Sequence, residues 1–446
     1  MPPNVPHILL VNPWIHDFAA YDFWAKPLGL LTLAAILRSH GLKISYIDCL
    51  DPFHPCAAPK PWRTRQGRGP YLKTEIAKPQ GLKDIPRTYS RYGIKPQWFR
   101  KDLQALSDPD LILVTSAMTY WYPGVQETIA IIKTVFSDVP VVLGGTYATL
   151  CQEHAVEFSG ADRVVPGPGE AGLLRLVRDY TGFSVSPRFD PNDLDTYPWP
   201  AYDLQHKITY IPLLTSRGCP FACTYCASHY LNPGLMWRDP LAVVAEIQYW
   251  HKSHEVIDFA LYDDAFLVNA EQHAIPLLSG IINTGLTIRL HTPNAIHVRA
   301  LTEQIARLMF KAGVATIRLG LETTAFEERG ALDNKLTAEE FRRGLGYLQK
   351  AGFKGDQIGA YLLVGLPGQQ RDAIEASIAM VKACGITPVP AYYSPIPHTT
   401  LWPQALNSSR YDLAADPIYS NNAILPCQKQ DFAWETLSNI KAQAQA

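Results

Sequence analysis

The sequence predicts an α/β protein of two consecutive domains, an open parallel sheet followed by a partial (β/α) barrel. Three observations predict it. Short apolar runs alternate with helical patterns along most of the chain. The 446 residues are too many for one ordinary core. A proline-rich stretch over residues 179–205 interrupts the alternation, with turn chemistry in Pro191-Asn192-Asp193 and Tyr197-Pro198-Trp199-Pro200.

The first domain spans residues 1–178. His7-Ile8-Leu9-Leu10-Val11-Asn12-Pro13 is an apolar run stopped by Asn-Pro, which describes a buried parallel strand with a turn at its carboxyl end. A helical pattern runs from Pro27 to Arg38 and ends near Gly41. Further strands follow at 43–48, 110–116, 140–145 and 163–167, with a helix predicted from Gly124 to Phe136. Ligands in such sheets bind beyond the carboxyl ends of the strands. Those ends carry Asn12, Ser116-Ala117-Met118-Thr119, Gly144-Gly145-Thr146-Tyr147 and Gly167-Pro168-Gly169-Glu170. Small residues there let a flat ligand approach the backbone.

An insert at about 52–105 breaks the pattern. Residues 60–105 hold twelve Lys or Arg against three Asp or Glu, with little periodicity. It reads equally as a lid that pairs with an anion, through residues such as Arg87 and Arg91, and as a solvated connection. His16 reads as a surface-loop histidine rather than a metal ligand, because nothing around it fits a ligand motif.

The second domain spans 206–405. Its predicted strands lie at 210–216, 256–262, 287–292, 316–322, 357–364 and 387–393, six in all. Barrel chemistry gathers at the carboxyl ends of strands. Tyr262-Asp263-Asp264, His291 with Asn294, Glu322 and Val364-Gly365-Leu366-Pro367-Gly368 all end strands and are expected at one mouth. Residues 406–446 form a tail without a nameable motif. Its Cys427 reads as a buried inert thiol.

The most informative segment follows the first barrel strand: Gly218-Cys219-Pro220-Phe221-Ala222-Cys223-Thr224-Tyr225-Cys226. Three thiols at C-x3-C-x2-C spacing are one too few to close a tetrahedral zinc site or to ligate every iron of a cubane cluster. The alternatives are a zinc loop with a distant fourth ligand, or reduced core thiols. The segment resembles the CxxxCxxC loop of the radical SAM superfamily, and the match is complete. The resemblance implies a [4Fe–4S] cluster on Cys219, Cys223 and Cys226. Its open iron would bind S-adenosylmethionine (SAM) and cleave it to a 5′-deoxyadenosyl radical. It also implies SAM contacts from Tyr225, Asp263, Glu322, Gly365 and Pro367. Asp263 or Asp264 would either contact SAM or fix the cluster loop. Family members commonly carry Glu after Gly368, where Gln369 stands here. The superfamily core is a six-stranded partial barrel.

The first domain resembles the Rossmann-like cobalamin-binding domain that precedes many radical SAM barrels. The resemblance rests on Asn12-Pro13, Pro27-Leu28-Gly29-Leu30, Asp48, Gly144 to Thr149 and Gly167 to Glu170. It implies cobalamin contacts from Asn12, Ser116, Met118, Thr119, Gly144, Gly145, Thr146, Gly167 and Glu170. The D-x-H-x-x-G motif of histidine-ligated cobalamin proteins is absent, so no histidine is expected on the cobalt. The alternative is a scaffold of the same fold without the cofactor.

These resemblances imply a cobalamin-dependent radical SAM enzyme, with methylation of an unactivated carbon as the leading activity. Radical cyclisation or rearrangement is the alternative, with cobalamin in another role or absent. A sensor with a structural cluster is the non-enzyme alternative. A reductant such as flavodoxin or ferredoxin is implied. The substrate, a small molecule or a peptide, and the catalytic residues stay unassigned. Net charge of −1 gives no pull toward nucleic acid or anionic lipid. No apolar run reaches a membrane span, no signal peptide is expected, and eight scattered cysteines fit a reducing cytoplasm.

Overall fold

The structure is a computed structural model and describes residues 5–58, 65–428 and 434–445. It divides into two compact units. One comprises residues 1–209 with Asp416–Ile418, and the other 210–415 with 419–446. The expected linker residues therefore group with the first unit. Ala201 and Tyr202 are buried there, and the Ala201 N–H donates to the Leu31 carbonyl at 3.0 Å. Among the described residues no helix is long and apolar enough to cross a membrane.

The first unit is built on β1 (His7–Asn12), β2 (Lys43–Asp48), β3 (Leu111–Val114), β4 (Val141–Leu143) and β5 (Arg163–Val164). They form one parallel sheet in the order β2-β1-β3-β4-β5. Alternate residues face opposite ways, and both faces are apolar. Leu9, Val11, Ile112, Val114, Val141 and Leu143 pack against Val125, Ile129 and Ile132 of helix α1 (Tyr122–Val135). Ile8, Leu10, Leu111, Leu113 and Val142 pack against Leu30, Ala34 and Leu37 on one helix and Leu173 and Val177 on another. Burial on both faces is why these strands read as unbroken apolar runs. Strand order reverses at β1, which opens a crevice between the carboxyl ends of β1 and β3.

The described part of the insert is folded onto the unit, and its solvated-connection reading is corrected there. Lys73–Glu75 and Ser90–Tyr92 make an antiparallel sheet with Ile15–Asp17. Helix Pro96–Gln104 sends Phe99 and Leu103 into the sheet's core, where Phe99 meets Trp14 edge to face at 5.1 Å. Residues 59–64 of the insert lie outside the described residues.

In the second unit the strands β6 (Ile211–Leu213), β7 (Asp258–Leu261), β8 (Arg289–His291), β9 (Val314–Glu322), β10 (Ile358–Val364) and β11 (Thr387–Tyr392) pair parallel in chain order. Sequential order, each strand followed by its helix, is the pattern of a barrel and not of a doubly wound sheet. Helix starts are set locally. Asp239 accepts from the Leu241 N–H at 2.9 Å ahead of Pro240, and Thr337 with Glu340 forms a capping box. The first barrel strand is shorter than predicted. After Leu213 the chain leaves the sheet, and Ser216–Arg217 pair antiparallel with Met236–Trp237 to anchor the cysteine loop.

Candidate active site

The cysteine loop is held from four sides. Gly218 has φ of +89°, and a Cβ there would lie 2.1 Å from the Gly234 carbonyl oxygen, so only glycine lets the loop turn at this point. Thr224 donates through its N–H (3.0 Å) and its hydroxyl (3.1 Å) to the Leu332 carbonyl, and its own carbonyl accepts from the Leu401 N–H at 2.8 Å. Phe221 stacks on the His297 ring at 4.3 Å. Burial lowers His297 to about 4, so it packs as a neutral ring.

Cys223 is buried, and Cys219 and Cys226 are partly exposed. Burial pushes the Cys219 thiol up to about 11, and the neighbouring Cys223, Asp264 and Cys226 push the same way. The three thiols share one short loop, although among the described residues no three His, Cys, Asp or Glu are drawn together as the ligands of a single metal ion. As a donor set, three thiols on one loop fit a cationic cluster, whose binding would release their protons.

Two carboxylates at the end of β7 fix this loop. Asp263 Oδ1 accepts from the Thr215 hydroxyl at 2.7 Å and the Ser216 hydroxyl at 2.5 Å. Asp264 accepts from the Gly218 N–H and from Asn232 Nδ2. Asp263 Oδ2 is buried with no hydrogen-bond partner, which leaves one acceptor for a ligand donor. Burial raises Asp263 to about 6 from an ordinary 3.8, against the two hydroxyl donors. The unfolded chain loses this proton near 3.8 and the folded chain near 6. Stability therefore falls as pH rises between those values, by about 3 kcal/mol in total. Asp263→Asn should remove that decline. Denaturant titration of the cluster-free chain from pH 4 to 6.5 checks it, and parallel curves for both proteins would refute it.

Glu322 closes β9 at φ of +62°, buried and beside the loop. Burial raises its carboxyl, and Lys335 and Arg329 oppose that. Lys335 Nζ donates to Tyr225 Oη at 2.7 Å and lies 3.4 Å from Glu322 Oε1. A buried carboxylate and a partly satisfied Asp263 beside three thiols suit the amine and hydroxyl groups of SAM. On the next strand, Gly365 and Pro367 lie in the turn after β10. Gln369 Oε1 accepts from the Gly365 N–H (2.7 Å) and the Leu366 N–H (3.2 Å), and its Nε2 donates to the Leu363 carbonyl (2.8 Å). A glutamate could accept in the same way but has no donor for that carbonyl, so the amide closes the turn more completely. The tail adds Gln428, whose Nε2 donates to the Leu366 carbonyl at 2.8 Å.

Asn294 stays at the mouth, donating to the Tyr262 and Asp263 carbonyls. His291 does not, and its expected place there is corrected. It is fully buried, with Nε2 2.9 Å from Asp258 Oδ1 and Nδ1 3.1 Å from Thr316 Oγ1. Asp258 begins β7, so the ring points toward the amino ends of the strands. Lys335, Arg329 and Asp333 escaped the sequence reading. Their only local signal is the four-residue spacing of Arg329 and Asp333, which marks an ion pair and no site.

In the first unit, the candidate cobalamin residues lie at the carboxyl ends of β1, β3, β4 and β5. The Ser116 hydroxyl donates to the Gly144 carbonyl at 2.7 Å, and the Ser116 carbonyl accepts from the Thr146 N–H at 2.9 Å. The Gly167 N–H donates to Thr149 Oγ1 at 2.9 Å, and a Cβ at Gly167 would meet open space. That open glycine edge fits a flat ligand laid against the strand ends. Met118 is 47 % exposed, whereas Thr119 and Glu170 are buried. Asn12 is turned aside, because its Nδ2 donates to Asp48 Oδ1 at 2.7 Å.

His16 is not in a surface loop. It lies buried in the strand Ile15–Asp17 under the insert, with Nε2 2.9 Å from Glu127 Oε2. Arg91 bonds the same carboxylate, so it serves the fold and is not offered to an anion. Burial would raise Glu127, but His16 and Arg91 hold it below its ordinary value.

Two known families match the two units. The Radical SAM superfamily matches residues 213–381, and the B12 binding domain matches 95–177. Among curated proteins, an uncharacterized methyltransferase of Pyrococcus horikoshii is 27% identical over 329 residues, covering 67% of this chain and 70% of that one. The anaerobic magnesium-protoporphyrin IX monomethyl ester cyclase of Rubrivivax gelatinosus is 26% identical over 306 residues, and the match spans 61% of this chain and only 54% of the cyclase. Among solved structures, the radical SAM methyltransferase TsrM of Kitasatospora setae superposes with a TM-score of 0.66 at 17% identity, over 90% of this chain and 76% of that one. Its likeness shows the fold. The cofactors are accordingly a [4Fe–4S] cluster, SAM and cobalamin. The chain is a radical SAM enzyme that carries a B12-binding domain.

Proposed function

We propose that this enzyme methylates an unactivated carbon, with Cys219, Cys223 and Cys226 as the cluster ligands. When bound, the cluster and SAM supply a hydrogen-abstracting carbon radical, and cobalamin supplies a methyl group that a carbon radical can accept. The observation that carries the reading is the joint presence of two sites in one chain. One is a three-thiol loop flanked by buried Glu322 and Asp263, and the other is an open glycine edge at a parallel-sheet switch point. The methyltransferase names among the relatives support the same choice.

The chain's own groups divide the work. Glu322 and Asp263 Oδ2 would accept from SAM donors. Tyr225, held by Lys335, would wall one side of that pocket. The Gly365–Gly368 turn, closed by Gln369, would present backbone groups to the remainder of the ligand. Gly144, Gly145 and Gly167 would let the second cofactor approach the backbone of the first unit. A one-electron donor protein would supply the reducing electron.

Anaerobic reconstitution tests the reading. Incubation with SAM, cobalamin, a reductant and candidate substrates should yield 5′-deoxyadenosine together with S-adenosylhomocysteine. The cyclase relative supports a second reading, in which 5′-deoxyadenosine forms with a converted substrate and no S-adenosylhomocysteine. That second product pattern would defeat methylation.

A further inference from the structure

Lys335 is a half-buried cation on a segment built to hold it against the cysteine loop. Its side chain is 13% exposed. Nζ donates to Tyr225 Oη at 2.7 Å, approaches Glu322 Oε1 at 3.4 Å, and stands 5.2 Å from the Tyr225 ring centroid. Tyr225 sits in the cysteine loop itself, one residue before Cys226.

The segment is fastened at both ends. Leu332 takes both Thr224 hydrogen bonds from the cysteine loop. Asp333 Oδ1 accepts from the Lys335 N–H at 3.1 Å and from Arg329 Nε at 2.6 Å. Arg329 in turn bonds the Leu321 carbonyl at the end of β9. The buried Arg329–Asp333 pair is closed on itself, so its charges largely cancel. Lys335 remains as the cation beside Glu322 and Tyr225 at the cysteine loop.

Cluster potential depends on net charge nearby and on hydrogen bonds to the sulfurs. Lys335 supplies the first lever, because its Nζ is bonded to Tyr225 of the cysteine loop. One-electron reduction makes the cluster more negative, and an adjacent half-buried ammonium favours that form. We infer that Lys335 is a positioning residue that raises the reduction potential of the cluster, so that an external one-electron donor can reduce it. The electron passes from donor to cluster, and no bond forms or breaks at the lysine. The inference rests on the reading of the three cysteines as cluster ligands.

The test is a redox titration of the reconstituted full-length chain without SAM, with dithionite and mediators, followed by electron paramagnetic resonance. Lys335→Met should lower the reduction equilibrium constant about tenfold, a downward midpoint shift of about 59 mV for one electron. Lys335→Arg should restore the wild-type midpoint. A fully loaded Lys335→Met enzyme with an unmoved midpoint overturns the inference. If that variant takes up no cluster, Glu322→Gln decides. Loss of its negative charge should raise the midpoint, and an unmoved or lowered one overturns the inference. Iron and sulfide content reports separately. A wild-type chain that holds no cluster sinks the ligand reading itself, whereas a loaded chain with an insensitive midpoint sinks only the role of Lys335.

Discussion

Replacement of Cys223 by alanine is expected to abolish the cluster and all SAM cleavage. Cys223 is the buried thiol of the three. Two ligands remain in the variant, and they cannot hold three irons of a cube. Iron should fall from about four atoms per chain toward none, and 5′-deoxyadenosine formation by at least about 10³-fold. Folding should survive, because the loop is held by Thr224, Gly218 and Phe221 and not by the sulfur. Cys427→Ala is the control. That thiol of the tail is 2% exposed and is raised to about 12 by burial alone. It should keep full iron and full cleavage. Retained iron in Cys223→Ala, measured after gel filtration without oxygen, would remove the cysteine loop from the mechanism.

The contrast between those two thiols marks what a sequence can and cannot say. The C-x3-C-x2-C spacing is local, so it is legible before any fold is known. The parallel strands are legible for a similar reason, since burial on both faces writes an apolar run into the strand itself. His16 and His291 are different. Whether a histidine lies on a surface or under an insert depends on residues far along the chain. Ser90–Tyr92 cover His16, and Asp258 draws His291 away from the mouth. The insert misleads because its strands are three residues long, too short to show a period, and the anchor Phe99 acts only through Trp14. Lys335 is least legible, as its partner Tyr225 lies 110 residues earlier. No pattern in either segment announces the other.

Gly145→Ala should separate the two cofactors. Gly145 has φ of +95°, where alanine is strained by about 1–3 kcal/mol. The added Cβ would also lie 2.3 Å from the Ser116 carbonyl oxygen and 2.6 Å from its nitrogen, contacts with backbone that no rotamer can relieve. Ser116 joins the ends of β3 and β4 through Gly144 and Thr146, so the clash pushes those two ends apart. Cobalamin retained after desalting should drop at least about tenfold, the equivalent of some 1.4 kcal/mol of lost binding. Gly167→Ala supplies the measure of strain alone. It too has positive φ, at +78°, but its Cβ would meet nothing within 4 Å, so its effect should be smaller unless the ligand itself fills that space. The cysteine loop shares no residue with this sheet. The Gly145→Ala enzyme should therefore keep its iron and still form 5′-deoxyadenosine, while S-adenosylhomocysteine formation disappears. Loss of both products together would mean that cobalamin is needed for SAM cleavage itself. Loss of neither would mean that the glycine edge is only a scaffold, and the proposed methyl transfer would then lack its carrier.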